Sequence, residues 1–395
     1  MNAANAHGID PVLLRRVGER FGERFSGDAP RLAAAPGWVN LIGEHTDYND
    51  GFVLPMAIGR AAVAAFRPRT DGLLRAHSVA FDETKELAIG SLSAPGGHDW
   101  FSYVAGVLWA FASEGLPVCG MDLVVDGDVP IAAGLSSSAA LEMAMARALA
   151  AAAGTAWDPA RMAKLGQKAE NAYVGMKCGI MDPFAAAACE EGHALLVDCR
   201  SLETQPVPVP AGVVVVVMDT GARRSLAASA YNDRRAACER VVAEIAKTKP
   251  GVTALRDVTF DELEAAKPRL DATDAKRASH VVAENQRPAA MAAAFGEGDL
   301  VRAGRLMKES HASLRELYEV SCEELDLIAS LARRQPSCYG ARMTGAGFGG
   351  CAIALVSADD VDAFCEEVLF GYKATYDLPA ALFPCRPMAG ARLLE

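Results

Sequence analysis

From Pro130 to Ser138 the chain reads Pro-Ile-Ala-Ala-Gly-Leu-Ser-Ser-Ser and then runs directly into an alanine-rich stretch. Small residues followed at once by strong helix formers predict a loop that opens into a helix from about Ala139 to Ala153, with Gly154 as its stop. This junction constrains the fold, because a helix start presents unpaired N–H groups and the positive end of its dipole to whatever faces it. With three serine hydroxyls beside them, such amides suit an anion of the nucleotide-phosphate type. A serine before an Ala-rich helix also serves as a plain N-cap, so the loop alone leaves both readings open. It is not a Walker A loop: no Gly-Lys-Ser/Thr occurs in the chain, which excludes the P-loop class.

The charge balance sharpens the question. With 39 basic against 50 acidic side chains the formal net charge is -11, a poor basis for binding nucleic acid or an anionic membrane. An anionic ligand must then be held by local amides, a metal or a few placed cations. At 395 residues, two lobes are the natural expectation. The 10 cysteines show no Cys-x-x-Cys spacing, which argues against structural zinc or a disulfide framework and for a reducing compartment. The N-terminus lacks the pattern of a signal peptide, and no apolar run reaches spanning length. A cytoplasmic location is expected.

Periodicity predicts an amphipathic helix over 10–25, carrying Val12, Leu13, Val17, Phe21 and Phe25. Val39 to Gly43 reads as a strand ending in a turn, and Leu123 to Val125 as a short strand. A second helix is expected from Pro159 to Tyr173. The alternating Pro206, Pro208 and Pro210 mark the expected lobe boundary, giving lobes over 1–205 and 206–395, and Val213 to Val217 reads as a buried strand. Helices are expected around 222–247, 274–295, 299–309 and 313–334. A glycine-rich loop over 340–350 then feeds a strand from Cys351 to Val356.

Three further segments carry chemistry. Glu44-His45-Thr46-Asp47 packs two carboxylates, an imidazole and a hydroxyl between an apolar entry and an apolar exit. Clustered acceptors of this kind suit the directional hydroxyls of a sugar, although the same residues also build solvated turns. No second histidine at metal spacing and no partnered nucleophile accompany His45, so proton transfer is not assigned to it. Asp182 stands between Met181 and Pro183 in apolar company; it could deprotonate an attacking hydroxyl, or cap a helix before Pro183. Glu170 could complete a magnesium site with a serine hydroxyl, or lie on the surface. Finally, Gly345-Ala346-Gly347-Phe348-Gly349-Gly350 satisfies G-x-G-x-x-G. A strand rather than a helix follows it, so a Rossmann reading fails on context. The remaining choices are a tight structural turn, or a loop whose missing side chains let it lie against substrate or the serine loop, the second being preferred.

Together these segments resemble the galactokinases of the GHMP kinase superfamily. The resemblance is carried by Pro36-Gly37-Trp38-Val39-Asn40-Leu41-Ile42-Gly43-Glu44-His45-Thr46-Asp47-Tyr48-Asn49, by Gly134-Leu135-Ser136-Ser137-Ser138-Ala139-Ala140, by Gly179-Ile180-Met181-Asp182, and by Arg342-Met343-Thr344 with the glycine loop and Cys351. The first is specific to galactose-type members; the serine loop and the glycine loop are shared across the superfamily. The resemblance implies an α+β fold of two lobes, with mixed sheets, flanking helices and the active site between the lobes. It implies ATP and Mg2+, and phosphorylation of galactose at its anomeric hydroxyl by a monomer or weak homodimer. By the same resemblance Asp182 takes the base position, and Ser138 with Glu170 the magnesium positions. Glu44, His45, Thr46, Asp47, Gly179 and Tyr231 would hold the sugar, and Ala132, Ala133, Gly134, Leu135, Ser136, Ser137 and Ser138 the ATP phosphates.

One position departs from the family pattern: Trp38 stands where the signature has arginine. An indole has one donor and no charge, so a cation expected beside the transferring phosphoryl group is missing. Arg223 and Arg224 are the nearby candidates to replace it. The departure keeps two other expectations in view, a kinase of N-acetylgalactosamine and a non-catalytic galactose and ATP sensor. Pro183, where many members have glutamine, is a lesser departure.

Overall fold

The fold rests on two main buried clusters: the larger joins the six-stranded sheet to one face of the four-stranded sheet, and the other lies on the opposite face of the four-stranded sheet. A computed structural model describes residues 8–131, 133–176, 178–223 and 227–394. The larger sheet has six strands in the order Arg392–Leu394, Arg31–Asn40, Pro55–Arg69, Gly120–Gly127, Leu73–Ser78 and Glu83–Ala88. All its pairings are antiparallel except that of Leu73–Ser78 with Gly120–Gly127, so the sheet is mixed. A second sheet of four strands runs Cys338–Met343, Cys351–Ser357, Val213–Asp219 and Ala381–Cys385. Its central strand is the valine run, apolar on both faces because helices cover it. A small three-stranded sheet joins Phe52–Val53, His193–Asp198 and Thr204–Pro208.

Local signals explain most helix ends. The first helix, Pro11–Arg24, starts with Asp10 accepting from the Val12 amide and Pro11 at its first position, and buries Leu13, Val17 and Phe21. The alanine-rich helix runs Ser137–Ala153 and stops at Gly154 in the left-handed region, φ 72°. Its small side chains let it lie close against the six-stranded sheet, with Ala139, Ala140, Met143 and Ala144 fully buried.

Several boundaries differ from expectation for identifiable reasons. The strand expected at Val39 to Gly43 is Arg31–Asn40, and a register shift between Pro36 and Trp38 marks a bulge in it. Such bulges re-aim the side chains beside them. The helix expected from Pro159 to Tyr173 widens after Lys168 into a π-helical turn over Ala169–Val174. The helix expected over 274–295 is two, Ala272–Glu284 and Arg287–Glu297, parted ahead of Pro288. That expected over 313–334 breaks at Glu319, φ 53°, between Leu314–Tyr318 and Glu323–Arg334. The one expected around 222–247 is described over Ala227–Ala246.

The Pro-rich stretch expected as a linker contributes an edge strand, where missing N–H groups are tolerated. The chain also recrosses the expected lobe boundary at its end, since Arg392–Leu394 pairs with Arg31–Asn40. Among the described residues, no helix is long and apolar enough to cross a membrane.

Candidate active site

Four loops converge where the edges of the two large sheets meet. Their junction encloses a pocket of about 210 Å³ whose lining includes Trp38, His45, Asp47, Ser136, Asp182 and Tyr231.

The serine loop supplies one wall. Ser136 stands at the N-cap of the alanine-rich helix, yet it adopts φ 54°, ψ 56° and makes no capping hydrogen bond. Its hydroxyl donates instead to Asp182. The plain N-cap reading is therefore set aside: the helix start keeps its amides free for an incoming anion, at the cost of a non-glycine residue in the left-handed region. Gly134, Leu135, Ser137 and Ser138 follow the same turn, and Ala133 lies buried behind it. Ala132 lies outside the described residues.

The glycine loop closes over this wall. A Cβ on Gly350, φ 80°, would stand 2.8 Å from the Ala133 carbonyl, and one on Gly345, φ 81°, would stand 3.4 Å from that of Gly134. The glycines are needed for contact between the two loops, so the preferred reading of the motif holds.

The polar loop forms the third wall, and its residues divide. Asp47 lies so close to Gly179 that a Cβ there would meet its Oδ2 at 2.0 Å. His45, φ 63°, is packed among Tyr48, Tyr231 and Tyr318 and shares a 2.9 Å hydrogen bond with the Tyr48 hydroxyl. Burial lowers its pKa to about 3, so the ring is neutral and has no acid–base task at ordinary pH. Glu44 lines the pocket, but one of its oxygens is taken by the Thr344 hydroxyl (3.1 Å) and the Gly345 amide (3.0 Å). Thr46 is the residue that the structure does not bring to the pocket. It is fully buried, and its hydroxyl lies against the carbonyls of Gly43 (2.8 Å) and Phe52 (2.7 Å), closing the loop on itself.

Asp182 sits in the first turn of the helix Met181–Ala188. Burial pushes its carboxyl up, and the Ser136 hydroxyl is the group that works against this. Burial, then Asp182, raises Asp47 to about 7. The same two causes raise Glu170 to about 7, opposed by Cys178 and by the Ser138 hydroxyl. The π-helical turn thus brings Glu170 inward beside Ser138, where a regular surface helix would have left it in water.

Asp182 acts on Asp47 and on Glu170, and among the described residues no cation acts on it, so positive charge entering the site would relieve all three. The oxygen donors Ser138 and Glu170 fit a hard divalent cation. Among the described residues no three His, Cys, Asp or Glu side chains converge closely enough to hold a metal alone. A cation here would draw its remaining oxygens from ligand and water.

Trp38 is buried in the pocket wall, and its Nε1 has no hydrogen-bond partner. Arg223, one of the two candidates to replace the missing cation, holds Asp219 with both guanidinium nitrogens at 2.8 and 2.7 Å. Arg224 lies outside the described residues.

A second pocket, about 300 Å³ and mostly apolar, opens on the far side of Ser137 and Ser138, with Phe81, Trp100, Tyr103 and Ile131 in its lining. The sequence gives no sign of it. Trp100 and Tyr103 lie on a helix, Trp100–Ser113.

Three family descriptions match in chain order: "Galactokinase galactose-binding signature" over residues 19–68, "GHMP kinases N terminal domain" over 102–190 and "GHMP kinases C terminal" over 291–374. A galactokinase of Chloroflexus aurantiacus is 46% identical over 351 residues, 89% of this chain and 90% of that one. One of Streptomyces coelicolor is 43% identical over 384 residues, 96% of this chain and 98% of its own. The crystal structure of Lactococcus lactis galactokinase complexed with galactose matches with a TM-score of 0.92 at 36% identity, over 96% of this chain and 100% of that one. A mevalonate kinase at 18% identity and TM-score 0.63 shares the fold.

The raised acid has a consequence for stability. Asp47 binds its proton more tightly in the folded chain, so its contribution opposes folding as pH rises from its ordinary 3.8 through about 7. Without ligand, Asp47→Asn should melt higher than the parent at pH 8, by up to ~4 kcal/mol of stability, and show no such advantage near pH 4. Thermal melts at both pH values check this; a pH-independent difference would contradict it.

Proposed function

The chain belongs to the galactokinase family of GHMP kinases, and we propose on that footing that it transfers the terminal phosphoryl group of ATP to the anomeric hydroxyl of galactose. The observation that carries the reading is the placement of Asp182, which lines the pocket between the helix start at Ser136 and the Asp47–Gly179 contact.

In this reading the sugar lies against Asp47, Gly179, His45, Glu44 and Tyr231. Asp47, once ionised, accepts its hydroxyls, Glu44 braces the loop through Thr344, Gly345 and Arg342, and Gly179 lends backbone where a side chain would displace Asp47. Thr46 acts at one remove, by fixing the loop. The adenine enters the apolar pocket at Trp100 and Tyr103, and the phosphates run along Ser136, Ser137 and Ser138 onto the helix start. Residues 1–205 carry these contacts, and residues 206–395 bring the glycine loop and Tyr231.

Asp182 takes the proton of the anomeric hydroxyl as its oxygen bonds to the terminal phosphorus and the bond to the ADP oxygen breaks. The products are galactose 1-phosphate and ADP, and the proton leaves to solvent. Ser138 and Glu170 would hold Mg2+, which supplies charge neutralisation for the phosphates. Ser136, released from Asp182 by the substrate, turns to the phosphates.

All these residues come from one chain, which suits a monomer or weak homodimer. None of the cysteines is in a disulfide among the described residues, in keeping with a cytoplasmic setting.

Three measurements test the reading. Asp182→Asn should lose ~100- to 10,000-fold in kcat while galactose still binds, as for removal of a general base. ADP release by the parent, driven by galactose, separates a kinase from a sensor; binding without release would favour the sensor, and preference for N-acetylgalactosamine would move the substrate. Trp38→Arg, which restores a cation beside Asp182, should raise kcat by ~10- to 1000-fold with little change in galactose KM. Equal kcat in both forms would show that Trp38 does not limit transfer.

A further inference from the structure

One acid near the site has no part in the scheme above. Glu142 lies in the helix Ser137–Ala153, wholly buried, and neither of its side-chain oxygens has a hydrogen-bond partner among the described residues. A carboxyl is costly to bury without a partner, and a group in that state calls for one that is not yet present. The charges acting on it are Glu170 and then Asp182, both acids. Neither is hydrogen-bonded to it among the described residues, and an entering cation would offset all three.

The helix fixes the direction. Glu142 follows Ser138 by four residues, so the two share a face, and helical side chains tilt toward the N-terminus. Its carboxyl therefore leans back beneath Ser138, the residue paired above with Glu170. Leu141 lines the apolar pocket with Ser137 and Ser138, so this single turn separates nucleotide from interior.

We propose that Glu142 is a further oxygen of the divalent-cation site, acting through a metal-bound water from beneath Ser138 and Glu170. The proposal rests on the Ser138–Glu170 reading. Small divalent cations keep several waters and take few carboxylates directly, which agrees with the absence of a closely convergent triad among the described residues. Outer oxygens that orient such waters contribute strongly to affinity. With the cation in place, Glu142, Glu170 and Asp182 cease to repel one another and share one counter-charge.

The test uses the whole chain, Mn2+ as probe and a non-hydrolysable ATP analogue, with free Mn2+ read by electron paramagnetic resonance. Glu142→Gln should weaken Mn2+ by ~10- to 100-fold and leave the galactose Kd unchanged. Glu142→Leu, which fills the space without a polar atom, should lose the same affinity while raising the melting temperature of the unliganded chain. Parental Mn2+ affinity in either folded variant would overturn the proposal. A parent that binds no Mn2+ with the analogue would overturn the Ser138–Glu170 reading first, and this one with it.

Discussion

A buried ion pair holds the site's loops in register. Arg342 and Glu44 are shut off from water, with Nη2 and Oε2 2.5 Å apart. The same guanidinium reaches the carbonyls of Asn40 (3.3 Å) and Leu41 (3.2 Å), where the first strand ends. Glu284, 4.0 Å from Arg342, accepts from the Gly43 amide and the Ser310 hydroxyl and pairs with Arg287. One network thus ties the polar loop to the strand Cys338–Met343 and to three helices of the C-terminal half. Removing one partner would strand the other charge in the interior, at ~3–5 kcal/mol.

From that fixed frame the electrostatics of the pocket follow. Asp182 acts on both Asp47 and Glu170, and desolvation is the first cause raising each of the three. Among the described residues, Trp38 occupies the wall and Arg223 is committed to Asp219. A cation arriving with the nucleotide would add positive charge beside these acids. Two of the described non-glycine residues at positive φ, His45 and Ser136, stand in the same place.

What the sequence disclosed was local chemistry. The Ala-rich helix, its Gly154 stop and the valine strand could be read from composition and pattern, because each depends on near neighbours. The motif residues came with the resemblance, and the two GHMP lobes with them. What stayed hidden depends on contacts distant along the chain. Thr46 reads as a sugar ligand by its company, and only the fold shows its hydroxyl turned to Gly43 and Phe52. Glu170 reads as a surface residue until the π-helical turn rotates it inward. Trp100 and Tyr103 form a pocket wall only once their helix lies beside Ser137 and Ser138. The final strand, Arg392–Leu394, is too short to have a pattern of its own and exists because Arg31–Asn40 has an open edge.

The central claim is that a carboxylate at position 182 faces the hydroxyl being phosphorylated. A crystal structure with galactose and a non-hydrolysable ATP analogue measures this directly. The account predicts an Asp182 oxygen within hydrogen-bond distance of the anomeric oxygen, opposite a terminal phosphate resting on the amides after Ser136. An Asp182 side chain turned away from that oxygen, or a sugar bound with another hydroxyl toward the phosphate, would contradict it.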